Sequence, residues 1–170
     1  GRQGTSTTHA LSKILTKLEE SYHVFLTPTG FGSVFLAMFS VVRPGDEILV
    51  SDPVYSPTRI LTQDFFKDFN IKAIFYNPKD LSTLQKNISK KTKLIFVENP
   101  GSNTFEFQDL SKIISLAKKK KIFTAMDNTW GTPYFLKPIK LGFDMAIVSA
   151  TKYYSGHSDV MGGSLAVNKR

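Results

Sequence analysis

Apolar residues change their spacing several times along the chain, and each change marks a structural element. In THALSKILTKLEESY, Leu11, Ile14, Leu15 and Leu18 recur on one helical face, with Thr7 or Thr8 available as an N-cap. The short apolar run HVFLTP follows, and TGFGSVFLAMFSVV then reads as a glycine turn opening a buried helix. DEILVSD predicts a strand after the Pro44–Gly45 turn, and SPTRILTQDFFKDF a helix with proline near its start, where the first turn tolerates it. IKAIFYN, KLIFVEN, IFTAMDN and DMAIVSAT are further strands rich in Ile, Val and Phe, with SLAVN (164–168) as one more. Helical patterns over 81–88 and 109–121 separate three of them.

Strands alternating with helices predict an α/β fold with a mostly parallel sheet covered on both faces. Several strands are continuous apolar runs, as expected where both faces are buried. Ligands of such sheets bind beyond the carboxyl ends of the strands. That selects the positions where apolar runs stop: Asp52 to Tyr55, Glu98 to Ser102, Asp127 to Trp130, and Ser149 to Lys152.

Composition narrows the function classes. At 170 residues and 41% hydrophobic content, the chain suits one globular domain with a sizeable core. No apolar run approaches the roughly 20 residues of a membrane span, and GRQGTSTTHA lacks an apolar signal core. The absence of cysteine excludes disulfides, thiolate metal sites and a cysteine nucleophile, and a cytoplasmic location is the expectation. The net charge of +8 raises nucleic acid as a partner, but its densest run, Lys118 to Lys121, suits the C-terminal end of a helix. No zinc-finger spacing or RNA-binding aromatic signature accompanies it, so no nucleic-acid partner is expected; a small phosphate-bearing ligand accounts for the charge equally well. His9, His23 and His157 have no metal-ligand spacing, and no metal is expected. Ser155, His157 and Asp159 lie close in sequence, which is no indication of a spatial triad.

Four features could carry chemistry. TPTGFGSV places glycines at a strand-to-helix turn, where backbone N–H groups form an anion site. It is neither a dinucleotide fingerprint, since Phe35 stands at the third glycine position, nor a P-loop; an ordinary glycine turn is the alternative. Asp127 ends a buried strand and is either a turn or cap residue or a carboxylate facing a cationic ligand atom. Tyr55, held between Pro53 and Pro57, either packs with its hydroxyl wet or stacks on a flat cofactor. Lys152 is either a solvated lysine at a strand exit or an activated amine; Ser149 and Thr151 share a face if the strand's period of two continues through them. Together a phosphate grip, a stacking ring, an aspartate and an amine are the parts of a pyridoxal 5′-phosphate (PLP) site.

The same segments carry a family resemblance. GRQGT, LTPTGFGSV, SDPVYSPTR, VENPGSNTFE, MDNTWGTP and SATKYYSGHSDVMGG resemble, in order, the Cys/Met-metabolism family of PLP-dependent enzymes. The last is similar to the family's lysine signature, and NPGSNTFE to the loop of its β-lyase branch. The resemblance implies the PLP-binding large domain of the aspartate-aminotransferase-like fold (fold type I), with residues 1–170 as that domain, incomplete at both ends, and the family's carboxy-terminal domain outside it. By the matched motifs, Lys152 would form an imine with the cofactor and then move protons. Asp127 would pair with the pyridinium nitrogen, and Tyr55 would stack on the ring and influence proton transfer. Gly30 and Phe31 would offer N–H groups to the phosphate alongside the hydroxyls of Ser149 and Thr151. Arg2 would reach the phosphate of a neighbouring subunit's cofactor, implying a homo-oligomer, by resemblance a homotetramer; Ser102 would lie near the ring. The implied reaction is β-elimination of cystathionine to homocysteine, pyruvate and ammonia. A γ-lyase or γ-synthase activity, or an inactive truncated remnant, is the alternative.

Overall fold

The computed structural model describes residues 2–169, and Gly1 of the GRQGT segment lies outside them. Helix α1 (Ser6–Glu19) is capped by Thr5, whose side chain accepts the N–H of Thr8 while the Thr8 side chain accepts the N–H of Thr5. Strand β1 (His23–Thr27) leads through Pro28 and Thr29 into α2 (Gly30–Val41). Then come β2 (Glu47–Ser51), α3 (Ser56–Ile60), a π-helical turn (Leu61–Phe65) and α4 (Phe66–Asp68). The helix expected over 56–69 is therefore wound more loosely at its centre, where Phe65 and Phe66 reach the Phe35 ring on α2. The chain continues with β3 (Lys72–Tyr76), α5 (Leu81–Asn87), β4 (Thr92–Glu98), α6 (Leu110–Lys120) and β5 (Phe123–Asp127). The short α7 (Thr132–Phe135) and α8 (Pro138–Leu141), not foreseen from periodicity, precede β6 (Met145–Val148) and β7 (Gly163–Val167).

All seven strands form one sheet in the order β1-β7-β6-β5-β4-β2-β3. The β3–β2, β2–β4, β4–β5 and β5–β6 pairs are parallel, while β7 is antiparallel to both β6 and β1. Two antiparallel steps return β1 to the direction of the central strands. The carboxyl ends of β1, β2, β4, β5 and β6 therefore all lie at one edge of the sheet.

Burial on both faces follows strand alternation. Ile48, Val50, Leu94, Phe96 and Ala125 point into a core with Val34, Ala37 and Met38 of α2 and with Leu61 and Phe66. Their neighbours Leu49, Ile95, Val97 and Met126 point the other way, onto Leu84 of α5, Ile113, Ile114 and Ala117 of α6, and Phe143. A third cluster joins Leu15 of α1 to Val24, Ile139, Ala146 and Ala166. Among the described residues no helix is long and apolar enough to cross a membrane.

Candidate functional site

A cavity of about 910 Å³ opens at the carboxyl edge of the sheet. It is lined by Gly30, Phe31, Tyr55, Asp127, Ser149, Thr151 and Lys152, so seven positions drawn from four separate segments meet at one place. Arg2 is exposed ahead of α1 and does not line it; Ser102 is also outside the lining.

The end of the cavity suited to an anion is built by α2. Thr29 caps the helix by accepting the Gly32 N–H at 2.9 Å, which leaves the N–H groups of Gly30 and Phe31, ahead of the first helical bonds, at the cavity wall. Gly30 is required by crowding: a Cβ there would lie 2.5 Å from the Cβ and 2.6 Å from the Oγ of Ser149. The helix end and the Ser149 hydroxyl are brought to one spot because no side chain separates them. Gly163 plays the same part beneath, where a Cβ would meet the Ser33 Oγ at 2.6 Å and the Thr29 carbonyl still closer.

Ser149 and Thr151 reach the cavity by a different route from strand alternation. Strand β6 stops at Val148, and a self-bonded turn follows. Lys152 N–H donates to the Ser149 carbonyl at 3.1 Å, Ser155 N–H to Ala150 at 3.0 Å and Gly156 N–H to Lys152 at 2.8 Å. The expected period of two ends because Ser149 N–H leaves the ladder and donates to Thr129 Oγ1 at 2.8 Å. Thr151 Oγ1 accepts the Gly162 N–H at 3.1 Å. The turn presents Lys152 and Tyr153, both exposed, toward the cavity.

Two carboxylates form the floor. Asp127 accepts the Thr129 N–H at 2.9 Å, the Asx-type bond its position after a strand allows. Beside it on β4, Glu98 accepts the Tyr55 N–H at 2.6 Å and a bond from the Ser102 side chain. Burial and then the charge of Asp127 push the Glu98 carboxyl up to about 8. Burial raises Asp127 as well, against the lowering pull of its bonds to Thr129. Neither makes an ion pair among the described residues, so the pair is suited to a cationic ligand atom. Tyr55 is half exposed at the rim, its backbone pinned by Glu98 and its ring free to cover a flat ligand.

Glu98 was legible only as a strand end; its pairing with Asp127 depends on β4 and β5 being neighbours in matched register. Thr129, Trp130, Val160 and Met161 also line the cavity. Trp130 meets Phe105 edge-on at 6.1 Å. These four lining residues fall within the MDNTWGTP and SATKYYSGHSDVMGG segments but are not singled out among the candidate site residues.

The residues present fit PLP: a cradle closed to any Cβ for the phosphate, a carboxylate for a protonated ring nitrogen, and an exposed amine. Comparison with known proteins agrees. The family model for Cys/Met metabolism PLP-dependent enzymes matches residues 1–170. A Rhizobium johnstonii protein provisionally named cystathionine β-lyase is 38% identical over 168 residues, covering 99% of this chain and 42% of its own. Relatives from Bordetella avium and Bacillus subtilis share that name. A Wolbachia pipientis wMel relative named L-alanine/L-glutamate racemase is 35% identical over 95% of this chain and 40% of its own. Among solved structures, a Campylobacter jejuni protein named as an O-acetylhomoserine (thiol)-lyase (metY), with N′-pyridoxyl-lysine-5′-monophosphate at its position 205, superposes with a TM-score of 0.90. It is 33% identical, over 94% of this chain and 40% of that one. The chain thus spans about two-fifths of the length of these relatives. From the ordered motifs, the mostly parallel α/β sheet and these matches, the chain belongs to the Cys/Met metabolism family of PLP-dependent enzymes.

Proposed function

We propose that residues 1–170 form the PLP-binding core of a carbon–sulfur β-lyase that cleaves cystathionine to homocysteine, pyruvate and ammonia. The observation that carries the reading is the convergence of Lys152, Asp127 and the Gly30–Ser149 cradle on one cavity. When bound, PLP supplies an electron sink for the charge left at the substrate Cα.

The chain's own residues set up the rest. The N–H groups of Gly30 and Phe31 and the hydroxyls of Ser149 and Thr151 hold the phosphate, assisted by the α2 dipole. Asp127 keeps a negative charge against the ring nitrogen, and Tyr55 covers the ring face at the rim. Lys152 Nζ is the amine that takes the Cα proton and returns a proton to the leaving sulfur; it is exposed on the turn and lines the cavity. The NPGSNTFE loop, which runs from the Glu98 end of β4, supports the β-lyase branch. In this reading Arg2, exposed at the start of the chain, serves a neighbouring copy's phosphate in a homo-oligomer.

Titration with PLP should produce a visible absorption band that borohydride fixes covalently to Lys152, and Lys152→Ala should lack it. A wild-type protein that shows no such band overturns the cofactor assignment. Product analysis then separates the reactions. Homocysteine with pyruvate supports the β-lyase, cysteine with 2-oxobutyrate makes it a γ-lyase, and cofactor binding without turnover makes these residues a non-catalytic core.

A further inference from the structure

Glu19, in the last turn of α1, is outside the cavity and only 1% exposed. Its Oε1 accepts the hydroxyl of Tyr154 at 2.9 Å, and its Oε2 is buried with no partner. Tyr154 stands two positions after Lys152 on the same self-bonded turn. While Lys152 and Tyr153 face the cavity, the Tyr154 ring points back and packs on the cluster of Leu15, Val24, Ile139, Ala146 and Ala166. That ring is a strut from the underside of the lysine turn to helix α1. The helix is itself held: Ser12 Oγ donates to the Val24 carbonyl at 2.6 Å, and Glu20 pairs with Lys137 at 2.5 Å and Lys140 at 3.2 Å.

We propose that Glu19 is a positioning residue for Lys152, acting through the Tyr154 hydroxyl to hold the Ser149–Gly156 turn against the body of the protein. A buried carboxyl with a single hydrogen bond is costly, and losing the Tyr154 hydroxyl would leave both Glu19 oxygens without a hydrogen bond. Apart from the Ser149 N–H bond to Thr129 Oγ1 at its entry, the turn's own bonds run within it or to Gly162, so beyond Ser149 they shape it without tying it to the α1 side of the protein. The Tyr154–Glu19 bond supplies an anchor on a separate element. The groups acting on the Glu19 carboxyl are the Tyr154 hydroxyl and Lys137 at the start of α8, with Glu20 and Lys140 forming the adjoining ion pairs. Burial raises Glu19 to about 7, so an opening that wets it becomes easier as pH rises from about 4.5 through about 7.

The role of Lys152 rests on the proposed function, but the positioning can be read without cofactor. Hydrogen exchange by mass spectrometry on the PLP-free protein should show amides 150–156 exchanging about fivefold faster in Tyr154→Phe and in Glu19→Leu, with β3 unchanged. Glu19→Gln, which keeps an acceptor for the hydroxyl, should restore protection. Corrected for intrinsic rates, protection of this turn should fall from pH 6 to pH 8 in the wild type and stay level in Glu19→Gln. PLP affinity, followed by Trp130 fluorescence, should weaken about fivefold in Tyr154→Phe in parallel. Unchanged exchange of the turn in Tyr154→Phe overturns the proposal even if Glu19→Leu fails to fold. A wild type that never binds PLP counts against the cofactor reading, while the exchange result still decides the anchor.

Discussion

Glu98 and Asp127 occupy partnered positions at the carboxyl ends of neighbouring parallel strands, so two acids share the floor of one cavity. Burial and the Asp127 charge raise the cost of ionising Glu98, and burial raises that of Asp127, so the pair is costly to ionise fully without a cation beside it. Because the folded Glu98 carboxyl is raised, its contribution is fully present below about 4.5 and is lost as pH rises through about 8. Glu98→Gln retains an acceptor for the Tyr55 N–H and removes the titration. Thermal melts of the cofactor-free protein should therefore fall by several degrees from pH 5 to pH 8 in the wild type and clearly less in the variant, at roughly 2–4 °C per kcal/mol. Equal pH slopes would contradict a raised Glu98 carboxyl.

Asp127→Asn tests the other member. The amide oxygen still accepts the Thr129 N–H, so the turn is kept while the charge is lost. The cofactor-free protein should be as stable as wild type or more so at pH 8, and PLP should bind about thirtyfold more weakly or worse, the scale of one lost partner in a buried charge pair. PLP affinity within twofold of wild type would remove Asp127 from the cofactor site.

Gly30→Ala inserts a Cβ where Ser149 already stands. Either α2 or the lysine turn must shift, at a cost of about 1–3 kcal/mol, and the phosphate cradle opens with it. PLP affinity should drop by about tenfold or more, an effect of the same size as that stability loss. Gly45→Ala is the control: its Cβ meets nothing within 4 Å, although φ is +94°. That substitution should cost about 1 kcal/mol in denaturant unfolding and leave PLP binding unchanged.

Tyr76→Phe probes the support beneath Glu98. The buried Tyr76 hydroxyl donates to Gln108 Oε1 at 2.8 Å, and Gln108 Nε2 donates to the Glu98 carbonyl at 3.0 Å. The Gln108 N–H also donates to Asn99 Oδ1 at 2.8 Å, closing the loop after β4. Loss of the hydroxyl should lower stability by about 1–2 kcal/mol in urea unfolding, with a smaller effect on PLP affinity than Asp127→Asn. A larger effect on binding than on stability would make Tyr76 part of the site rather than its support.

Much of this molecule is written in local pattern. Apolar runs and helical spacing marked β2 through β7, α1, α2, α5 and α6, because several strands are continuous apolar runs and the helices carry apolar residues on the face they bury. The π-helical turn after α3 and the short α7 and α8 escaped detection. The first answers to packing among Phe35, Phe65 and Phe66, and the others span only one turn each.

By itself the sequence determined the alternating elements and the sheet edge at which to look, and its ordered motifs marked Gly30, Phe31, Tyr55, Asp127, Ser149, Thr151 and Lys152 as candidates, all of which line one cavity. Only the tertiary structure decided how they are arranged. Strand order placed Glu98 against Asp127, a turn rather than a strand aimed Ser149 and Thr151, and α1 was brought under the lysine turn through Glu19 and Tyr154. The physical reason is range. Periodicity and capping act within a few residues, whereas the pairing of two acids on neighbouring strands, the closeness of a Cβ and the anchoring of a turn depend on residues 29, 119 and 135 positions apart in the chain being brought side by side.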